Sequence, residues 1–263
     1  MEPLACLDGN VMPAAEATIP ATDEGLLRGD GVFEVARLYG GRPYTLTEHL
    51  ERMALSAENL RLPFDADAMR ADARALLEQA GPVDALLRQV VTRGGLRLSL
   101  IEPLPDLPPS IRLACVTYSP TRVLDGIKSL SYAGNMLTTR LAKERGFDEA
   151  LLVTPHGRVL EGPTSSFFWV RDGRLSTPPL DEHILDSITR RRVIELMEDV
   201  VEEPCTVEDL AGAQEAFLAS SLREVMPVSA IEETELDRSG PVTAEAGRRL
   251  RERIAETLAA EAS

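Results

Sequence analysis

Two lysines, Lys128 and Lys143, carry the only side-chain amines of this 263-residue sequence, since the remainder of its 28 basic residues are arginines. A lysine can form a Schiff base, whereas an arginine cannot at neutral pH. In GIKSLSY a predicted strand over 126–132 places Lys128, Leu130 and Tyr132 on one side. Apolar neighbours lower the pKa of a lysine by desolvation, and its neutral amine is a nucleophile. The alternative for Lys128 is an exposed edge residue, whereas Lys143 lies on a solvated helix face.

An acidic residue, Glu161, ends a predicted strand in RVLEGPTSSFFWV, directly before Gly162 and Pro163. Pockets commonly open where a strand stops, and a carboxylate at such a place can bind a protonated ring nitrogen. The other interpretation of Glu161 is a solvated acid beside a turn, which is common in a chain with 43 acidic residues.

A helix start in LDSITRRRVIEL is a candidate anion site. Ser187 is the expected N-cap, and Ile188 and Thr189 form the first turn, so backbone amides and a hydroxyl point outward together, which favours a phosphate. Arg52 and the loop at Ser221 could supply a cation and further donors. Every capped helix has this geometry, so a structural role is the alternative for each residue.

Strands and helices alternate along the chain, which indicates an α/β (α+β) fold. In the first part, strands are predicted in LACLDGNVM, GVFEVARLYGGRPYTL, ALLRQVVTRG and SIRLACVTY, with helices from Thr47 and over 66–80. Ser119-Pro120 marks a boundary. We therefore expect a small N-terminal domain over 1–118, a linker over 119–125 and a larger C-terminal domain over 126–263.

The second expected domain opens with the strand over 126–132 and a helix at about 135–145. Strands EALLVTP, RVLEG and TSSFFWV follow, and then the helix SITRRRVIELMEDVV. A short helix near Val207, strands AFLAS and VMPVSAI, and an amphipathic helix from about Thr243 complete the prediction.

Composition excludes several classes of partner. The net charge of −15 would repel nucleic acids and anionic membranes, so neither is an expected partner.

No stretch reaches the roughly 18 apolar residues of a membrane span, and no signal peptide is evident, so we expect a cytoplasmic protein. The three cysteines and three histidines lack the spacing of a disulfide framework or a metal site, so no metal is expected.

Taken in chain order, these segments resemble the fold-type IV pyridoxal-phosphate enzymes, or class IV aminotransferases. This family includes branched-chain, D-amino-acid and (R)-amine transaminases and aminodeoxychorismate lyase. The resemblance covers nearly the whole chain, from GDGVFEVARLYGG through EHLERM, and is most specific from GIKSLSYAGN to ILDSITR. It implies two α/β domains with pyridoxal 5'-phosphate (PLP) in the cleft between them. The implied function is PLP-dependent transfer of an amino group between an amino acid or primary amine and a 2-oxo acid.

The resemblance implies a role for each candidate residue. Lys128 would form the Schiff base with the cofactor and shuttle the proton of the substrate carbon. Glu161 would pair with the protonated pyridine nitrogen, and Tyr132 would lie beside the cofactor oxygen. The family's phosphate-binding positions correspond to Arg52, Ile188, Thr189 and Ser221.

Two positions depart from the family pattern. Ser131 stands where the family commonly has asparagine three residues after the lysine, and the Asp-Ser of LDSITR replaces the usual Pro-Gly. Neither departure removes a catalytic group, but both leave the local geometry open.

The substrate pocket is expected on the first sheet. Val35 is more similar to the D-amino-acid and (R)-amine enzymes than to branched-chain enzymes, which tend to have glycine there. The arginine and histidine that bind a carboxylate in D-amino-acid enzymes are represented by Arg97 and Ser99. An arginine could bind a substrate carboxylate bidentately, although a salt bridge on a strand is the alternative for each. The candidate pocket residues are Phe33, Val35, Arg37, Arg93 and Arg97.

The resemblance leaves two other functions open. Aminodeoxychorismate lyase uses the same cofactor on nearly the same scaffold but eliminates pyruvate and forms 4-aminobenzoate; the threonine expected in its equivalent of VFEVAR is absent here. A non-catalytic PLP-binding scaffold would need neither Lys128 nor Glu161, and both are retained. Family members are usually dimers whose active sites are completed by a partner loop, so the resemblance implies a homodimer.

Overall fold

The computed structural model describes residues 3–261, which form two compact units. The first unit consists of residues up to Asp106 together with Gly126–Tyr132. The second consists of Leu107–Asp125 together with Ala133–Glu261. Each unit contains helices packed on a sheet, which confirms the expected α/β (α+β) class.

A six-stranded antiparallel sheet forms the centre of the first unit. Its strands are β1 (Leu4–Leu7), β2 (Asn10–Pro13), β3 (Gly31–Tyr39), β4 (Arg42–Pro43), β5 (Ala85–Thr92) and β6 (Arg97–Pro103), in the spatial order β2-β1-β6-β5-β3-β4. The turn from β3 to β4 uses Gly40 and Gly41, whose φ angles of 57° and 81° favour glycine. The register of β3 and β5 places Phe33 opposite Val90 and Val35 opposite Arg88.

Two helices, α2 (Leu46–Asn59) and α3 (Ala66–Ala80), cover one face of this sheet, and a short helix, α1 (Glu24–Arg28), precedes β3. Val32 packs in one core cluster with Leu50 and Met53 of α2, and Leu38 packs in another with Leu76 of α3. Because side chains alternate across a strand, the odd-numbered residues of β3 point to the opposite face.

An eight-stranded mixed sheet forms the centre of the second unit. Its strands are β7 (Ile111–Thr117), β8 (Glu149–Val153), β9 (Ser166–Arg171), β10 (Arg174–Thr177), β11 (Val201–Glu202), β12 (Glu215–Ser220), β13 (Glu224–Ile231) and β14 (Thr234–Glu235). The order is β11-β10-β9-β12-β13-β7-β8, with β14 paired to β13. Strand β7 runs parallel to both β13 and β8. Strands β8, β9 and β12 are buried at almost every position, which is typical of a sheet covered on both faces.

Three longer helices belong to this unit: α4 (Ala133–Glu144), α5 (Ile188–Leu196) and α6 (Pro241–Ala260). Val193 of α5 and Ala246 of α6 pack in one core cluster with Phe168 and Phe217. The two phenylalanine rings stack with their centroids 4.8 Å apart. Within residues 3–261, no helix combines the length and the apolar character needed to cross a membrane.

A buried acid caps the start of α6. Glu215 of β12 is 4% exposed and accepts hydrogen bonds from the backbone amides of Thr243 at 2.7 Å and Val242 at 3.3 Å. First-turn amides have no partner inside the helix, and the positive end of the helix dipole favours a carboxylate. Gly240 makes room for it, because a Cβ there would lie 2.0 Å from Glu215 Cδ. Glu215 therefore joins the last helix to the sheet.

Two expected strands are absent, and one observed strand of the first sheet was not expected. Residues 126–132 form no strand and join β3 through a single bridge between Ser129 and Val32. The segment RVLEG makes isolated bridges, from Val159 to Val153, from Arg158 to Thr206 and from Gly162 to Ser165, but no strand. Strand β6 was not predicted, because it runs into the proline-rich stretch that we interpreted as a divider between strands.

The two units do not follow the single boundary expected at 119–125. Strand β7, which was expected in the first domain, pairs with β13 and β8 of the second sheet. Gly126–Tyr132, which was expected to open the second domain, belongs to the first unit. The physical reason is backbone pairing: Phe33 N donates to Lys128 O at 3.1 Å and Leu130 N donates to Gly31 O at 2.8 Å.

Candidate active site

Lys128 is held by its backbone on two sides. Its carbonyl oxygen accepts from Phe33 N of β3, and its own amide donates to Ser56 Oγ of α2 at 3.1 Å. The residue after it, Ser129, is buried against β3. The Lys128 side chain therefore projects from a fixed stretch of backbone, although this stretch does not form a strand.

Two aromatic rings surround the amine of Lys128. Nζ lies 4.5 Å from the centroid of the Phe33 ring and 5.6 Å from that of Tyr132. The two rings meet edge to face, with centroids 5.1 Å apart, a favoured arrangement for aromatic pairs. The expected sharing of one side by Lys128 and Tyr132 therefore holds, and Phe33 lies with them.

Arg52 of α2 binds a buried acid. Its Nε and Nη2 donate to the two carboxylate oxygens of Glu34 at 2.6 and 2.7 Å, and His49 Nδ1 lies 2.7 Å from Glu34 Oε2. Burial by itself would raise the pKa of Glu34, but the charge of Arg52 and the hydrogen bonds from His49 and Arg52 lower it to about 2. Glu34 is therefore an ionised carboxylate at neutral pH.

Phe33, Val35 and Arg37 share the face of the sheet that Lys128 approaches. They are alternate residues of β3, and this face lies opposite the one that packs on α2 and α3. The guanidinium carbon of Arg37 lies 4.9 Å from the centroid of the Tyr39 ring. The structure thus groups these three pocket candidates with the lysine.

The other two arginine candidates are engaged elsewhere in the first unit. Arg93 donates to both carboxylate oxygens of Asp30, at 3.0 and 3.2 Å, and to Leu60 O at 2.8 Å. Arg97 donates from Nε to Asp72 of α3 at 2.9 Å. Since α3 covers the helical face of the sheet, Arg97 points away from the face of Phe33.

Sequence reasoning missed Arg88, which shares the face of Phe33. It lies opposite Val35 in the register, and its guanidinium carbon is 5.5 Å from the centroid of the Phe33 ring. Nε donates to Glu102 at 2.8 Å. Within residues 3–261, neither Nη group of Arg88 has a hydrogen-bond acceptor. The alternation along ALLRQVVT was the signal that could have identified it.

In the second unit, Glu161 precedes a tight turn. Its Oε1 accepts from Leu185 N at 3.1 Å, and Gly162 N donates to Ser165 O at 2.7 Å. Asn135 of α4 donates to Pro163 O at 2.9 Å, which ties the turn to that helix. Burial, and then the charge of Glu161, raise the pKa of Tyr118.

The start of α5 has the expected cap. Ser187 Oγ accepts from Arg190 N at 3.2 Å, and Ile188 and Thr189 are buried in the first turn. Ser221 lies in the turn between β12 and β13, where Ser220 Oγ accepts from Arg223 N at 3.2 Å. The Asp-Ser departure from the family pattern therefore still supplies a helix cap.

Comparison with known proteins identifies the family. Residues 31–231 match the family described as amino-transferase class IV. A Methanocaldococcus jannaschii protein with the provisional name branched-chain-amino-acid aminotransferase is 36% identical over 250 residues, which cover 86% of this chain and 87% of that protein. A D-alanine aminotransferase of Staphylococcus epidermidis is 30% identical over 250 residues, covering 86% and 88%.

Solved structures show the same fold. The branched-chain aminotransferase of Thermoproteus uzoniensis with norvaline superposes with a TM-score of 0.87 at 28% identity, over 95% of this chain and 94% of that one. The PLP-bound form of a hypothetical aminotransferase from Mycobacterium tuberculosis gives 0.86 at 25% identity, over 97% and 99%. The chain belongs to the class IV aminotransferases, as the sequence motifs indicated.

The protein is therefore a PLP-dependent aminotransferase of fold type IV. The residues present suit the cofactor: an amine at Lys128, a carboxylate at Glu161, a guanidinium at Arg52 and a capped helix start at Ile188. The hydroxyl oxygens of Ser165 and Ser166, just after Glu161, are also buried without a hydrogen-bond partner within residues 3–261. Buried polar atoms normally have partners, so this turn suits a polar ligand.

Proposed function

We propose that Lys128 binds PLP through Nζ and moves the proton that amino-group transfer requires. When bound, PLP supplies an electron-withdrawing ring that stabilises negative charge on the amino-bearing carbon of the substrate. Lys128 Nζ takes the proton from that carbon and returns it.

The remaining residues hold and orient the cofactor in this proposal. Glu161 keeps the ring nitrogen protonated through its carboxylate, and Tyr132 lies beside the ring oxygen. The phosphate is bound by the first-turn amides and cap of α5, by a guanidinium and by the loop after β12, which are groups that suit an anion. These phosphate-binding residues are Arg52, Ile188, Thr189 and Ser221.

The observation that carries the proposal is the position of Lys128. Its carbonyl and amide are both fixed, by β3 and by Ser56 of α2, and its amine lies 4.5 Å from the centroid of the Phe33 ring. Fixing the backbone and the side chain of a lysine in this way costs conformational entropy, and a merely solvated lysine would need none of these contacts. Lys143, by contrast, is exposed on α4.

Replacing each lysine in turn tests the assignment. The purified protein with PLP should be yellow, and Lys128→Ala should lose both the colour and the transaminase activity, because alanine cannot form the Schiff base. Lys143→Ala is the matched control and should retain both. Yellow, active Lys128→Ala protein, or equal losses in the two variants, would refute the role of Lys128.

The amino donor that best fits the first unit carries a carboxylate. Arg88 and Arg37 lie on the face of Phe33, whereas Arg93 and Arg97 are engaged by Asp30 and Asp72. A guanidinium binds a carboxylate bidentately. We therefore favour amino acids over uncharged primary amines as donors, and Arg88 over the arginines that the sequence suggested.

The lyase and scaffold alternatives are not favoured, because the similar proteins are named aminotransferases. One panel separates the three functions. It measures amino transfer from L-amino acids, D-amino acids and (R)-1-phenylethylamine to 2-oxoglutarate or pyruvate, alongside pyruvate release from aminodeoxychorismate. Transfer without pyruvate release supports the aminotransferase, and the preferred donor identifies the subfamily.

We also propose that the protein is a homodimer. Large apolar side chains are exposed on two helices, Leu26 and Leu27 on α1 and Leu137 and Leu141 on α4, and contact with a second copy would bury such surfaces. Light scattering coupled to gel filtration would measure the mass, and a monomer would contradict the proposal. The expectation that the protein acts in the cytoplasm stays a prediction, which fractionation of cells would check.

A further inference from the structure

Glu34, His49 and Arg52 form a buried ionic cluster in the first unit. Glu34 and His49 are each 1% exposed, and the side chain of Arg52 is 11% exposed. The carboxylate of Glu34 binds the Nε–Nη2 edge of the guanidinium with both oxygens, while His49 contacts one of those oxygens. The plane of the Arg52 guanidinium is therefore fixed relative to β3.

Stability alone does not account for this cluster. Burying a carboxylate and a guanidinium costs solvation free energy that their attraction only partly offsets, and apolar residues of similar size often stabilise a core as well or better. The other positions on the helical face of β3, Val32, Ala36 and Leu38, are indeed apolar. A guanidinium held along one edge, however, is pre-organised to bind an anion at a defined place.

We propose that Glu34 and His49 are positioning residues, which hold the guanidinium of Arg52 in the orientation that binds the cofactor phosphate. The proposal rests on the phosphate-binding role of Arg52 proposed above. His49 and Arg52 are three residues apart on one face of α2. Glu34 of β3 therefore contacts both side chains and orients the guanidinium of Arg52. The cluster thus acts on phosphate binding through Arg52.

The test compares PLP with pyridoxal, which lacks only the phosphate, by calorimetric titration of the full-length cofactor-free protein. We expect Glu34→Gln to weaken PLP binding by about tenfold or more, the scale of one charge-assisted hydrogen bond, and to leave pyridoxal binding unchanged. His49→Gln should change the ratio of the two affinities in the same direction but less. A change in this ratio reports the contact with the phosphate, because a residue with a merely structural role would affect PLP and pyridoxal binding equally.

The matched control is Asp72→Asn. It removes another buried carboxylate that binds an arginine, Arg97, on the same helical face of the sheet. This variant should be destabilised in thermal unfolding yet keep the wild-type ratio of PLP to pyridoxal affinity. If Glu34→Gln does not fold, Glu34→Asp, which shortens the acid by one methylene, takes its place.

Arg52→Ala separates this inference from the function on which it rests. If Arg52→Ala leaves the affinity ratio unchanged, the phosphate role of Arg52 is wrong. If Arg52→Ala lowers the ratio while folded Glu34→Gln, or its Asp replacement, keeps the wild-type value, the positioning role alone is overturned. A lowered ratio in both variants supports the proposal.

Discussion

Removing the guanidinium of Arg88 should impair amino acids as donors while sparing uncharged amines. Arg88 shares the face of Phe33 and Lys128, and Glu102 binds only its Nε. Its Nη groups can therefore bind a substrate carboxylate without breaking the existing ion pair. In Arg88→Ala this carboxylate loses a charged partner, whereas (R)-1-phenylethylamine, which has no carboxylate, loses nothing.

The exposure of the Arg88 side chain sets the expected size of the loss in kcat/KM. A hydrogen bond between charged groups contributes about 1.5–3 kcal/mol when it is well shielded. The side chain of Arg88 is 34% exposed, so solvent screening favours the lower part of that range, about 1.5–2 kcal/mol. This corresponds to a decrease of about 10- to 30-fold in kcat/KM. Arg88→Lys, which keeps the charge but not the fork, should recover part of the loss.

The assay is the donor half-reaction of the PLP-loaded protein, followed by the absorbance of the cofactor with no 2-oxo acid present. This design matters because the acceptor also carries a carboxylate. Arg97→Ala is the matched control, since Arg97 binds Asp72 on the opposite face. Equal losses for the amine and the amino acids, or an Arg97→Ala variant as impaired as Arg88→Ala, would refute the assignment.

Two further predictions concern stability. The pKa of Glu34 is depressed to about 2 from an ordinary 4.5, so its ionised form stabilises the fold above pH 4.5 and this stabilisation is lost as the pH falls towards 2. Urea unfolding at pH 5 and pH 3 should show a larger loss for wild type than for Glu34→Gln, and equal losses would contradict it. Glu215→Ala should reduce the free energy of unfolding by about 1–2 kcal/mol, because two first-turn amides of α6 lose their acceptor. Glu256→Ala, an exposed site on the same helix, should change it by less than about 0.5 kcal/mol, and a similar loss in both variants would refute the cap.

Local sequence signals predicted the longer helices, although the helix expected over SITRRRVIELMEDVV ends at Leu196 and the short helix α1 was not predicted. The helix over 66–80 is found with those bounds, and Ser187 caps α5 as expected, because caps and apolar periodicity act within one turn. The segment around Lys128 was predicted as a strand from its alternation. It makes only one bridge, since strand formation depends on a partner that lies far away in the sequence.

In the candidate site, too, the sequence predicted contacts between residues that are near in the chain but not contacts between distant ones. Lys128 and Tyr132 share a side, as their spacing predicted, but the ring between them, Phe33, comes from a strand almost a hundred residues earlier. Arg97 was assigned to the pocket by resemblance to the D-amino-acid enzymes, although the register of β5 and β6 places it opposite Val91 and towards α3. Only that register shows which arginines lie on the face of the lysine.

The path of the chain between β7 and α4 limits where the protein can be divided into two fragments. The polypeptide contributes β7 to the second sheet, returns Gly126–Tyr132 to the first unit, and only then begins α4. A split at 119–125 would leave β7 on the first fragment and so remove the strand that joins β13 to β8. It would also separate Lys128 from the strand and helix that fix its backbone. No single cut in this region keeps both β7 with the second sheet and Lys128 with the first unit, so we expect that the two units cannot be produced as separate, complete fragments.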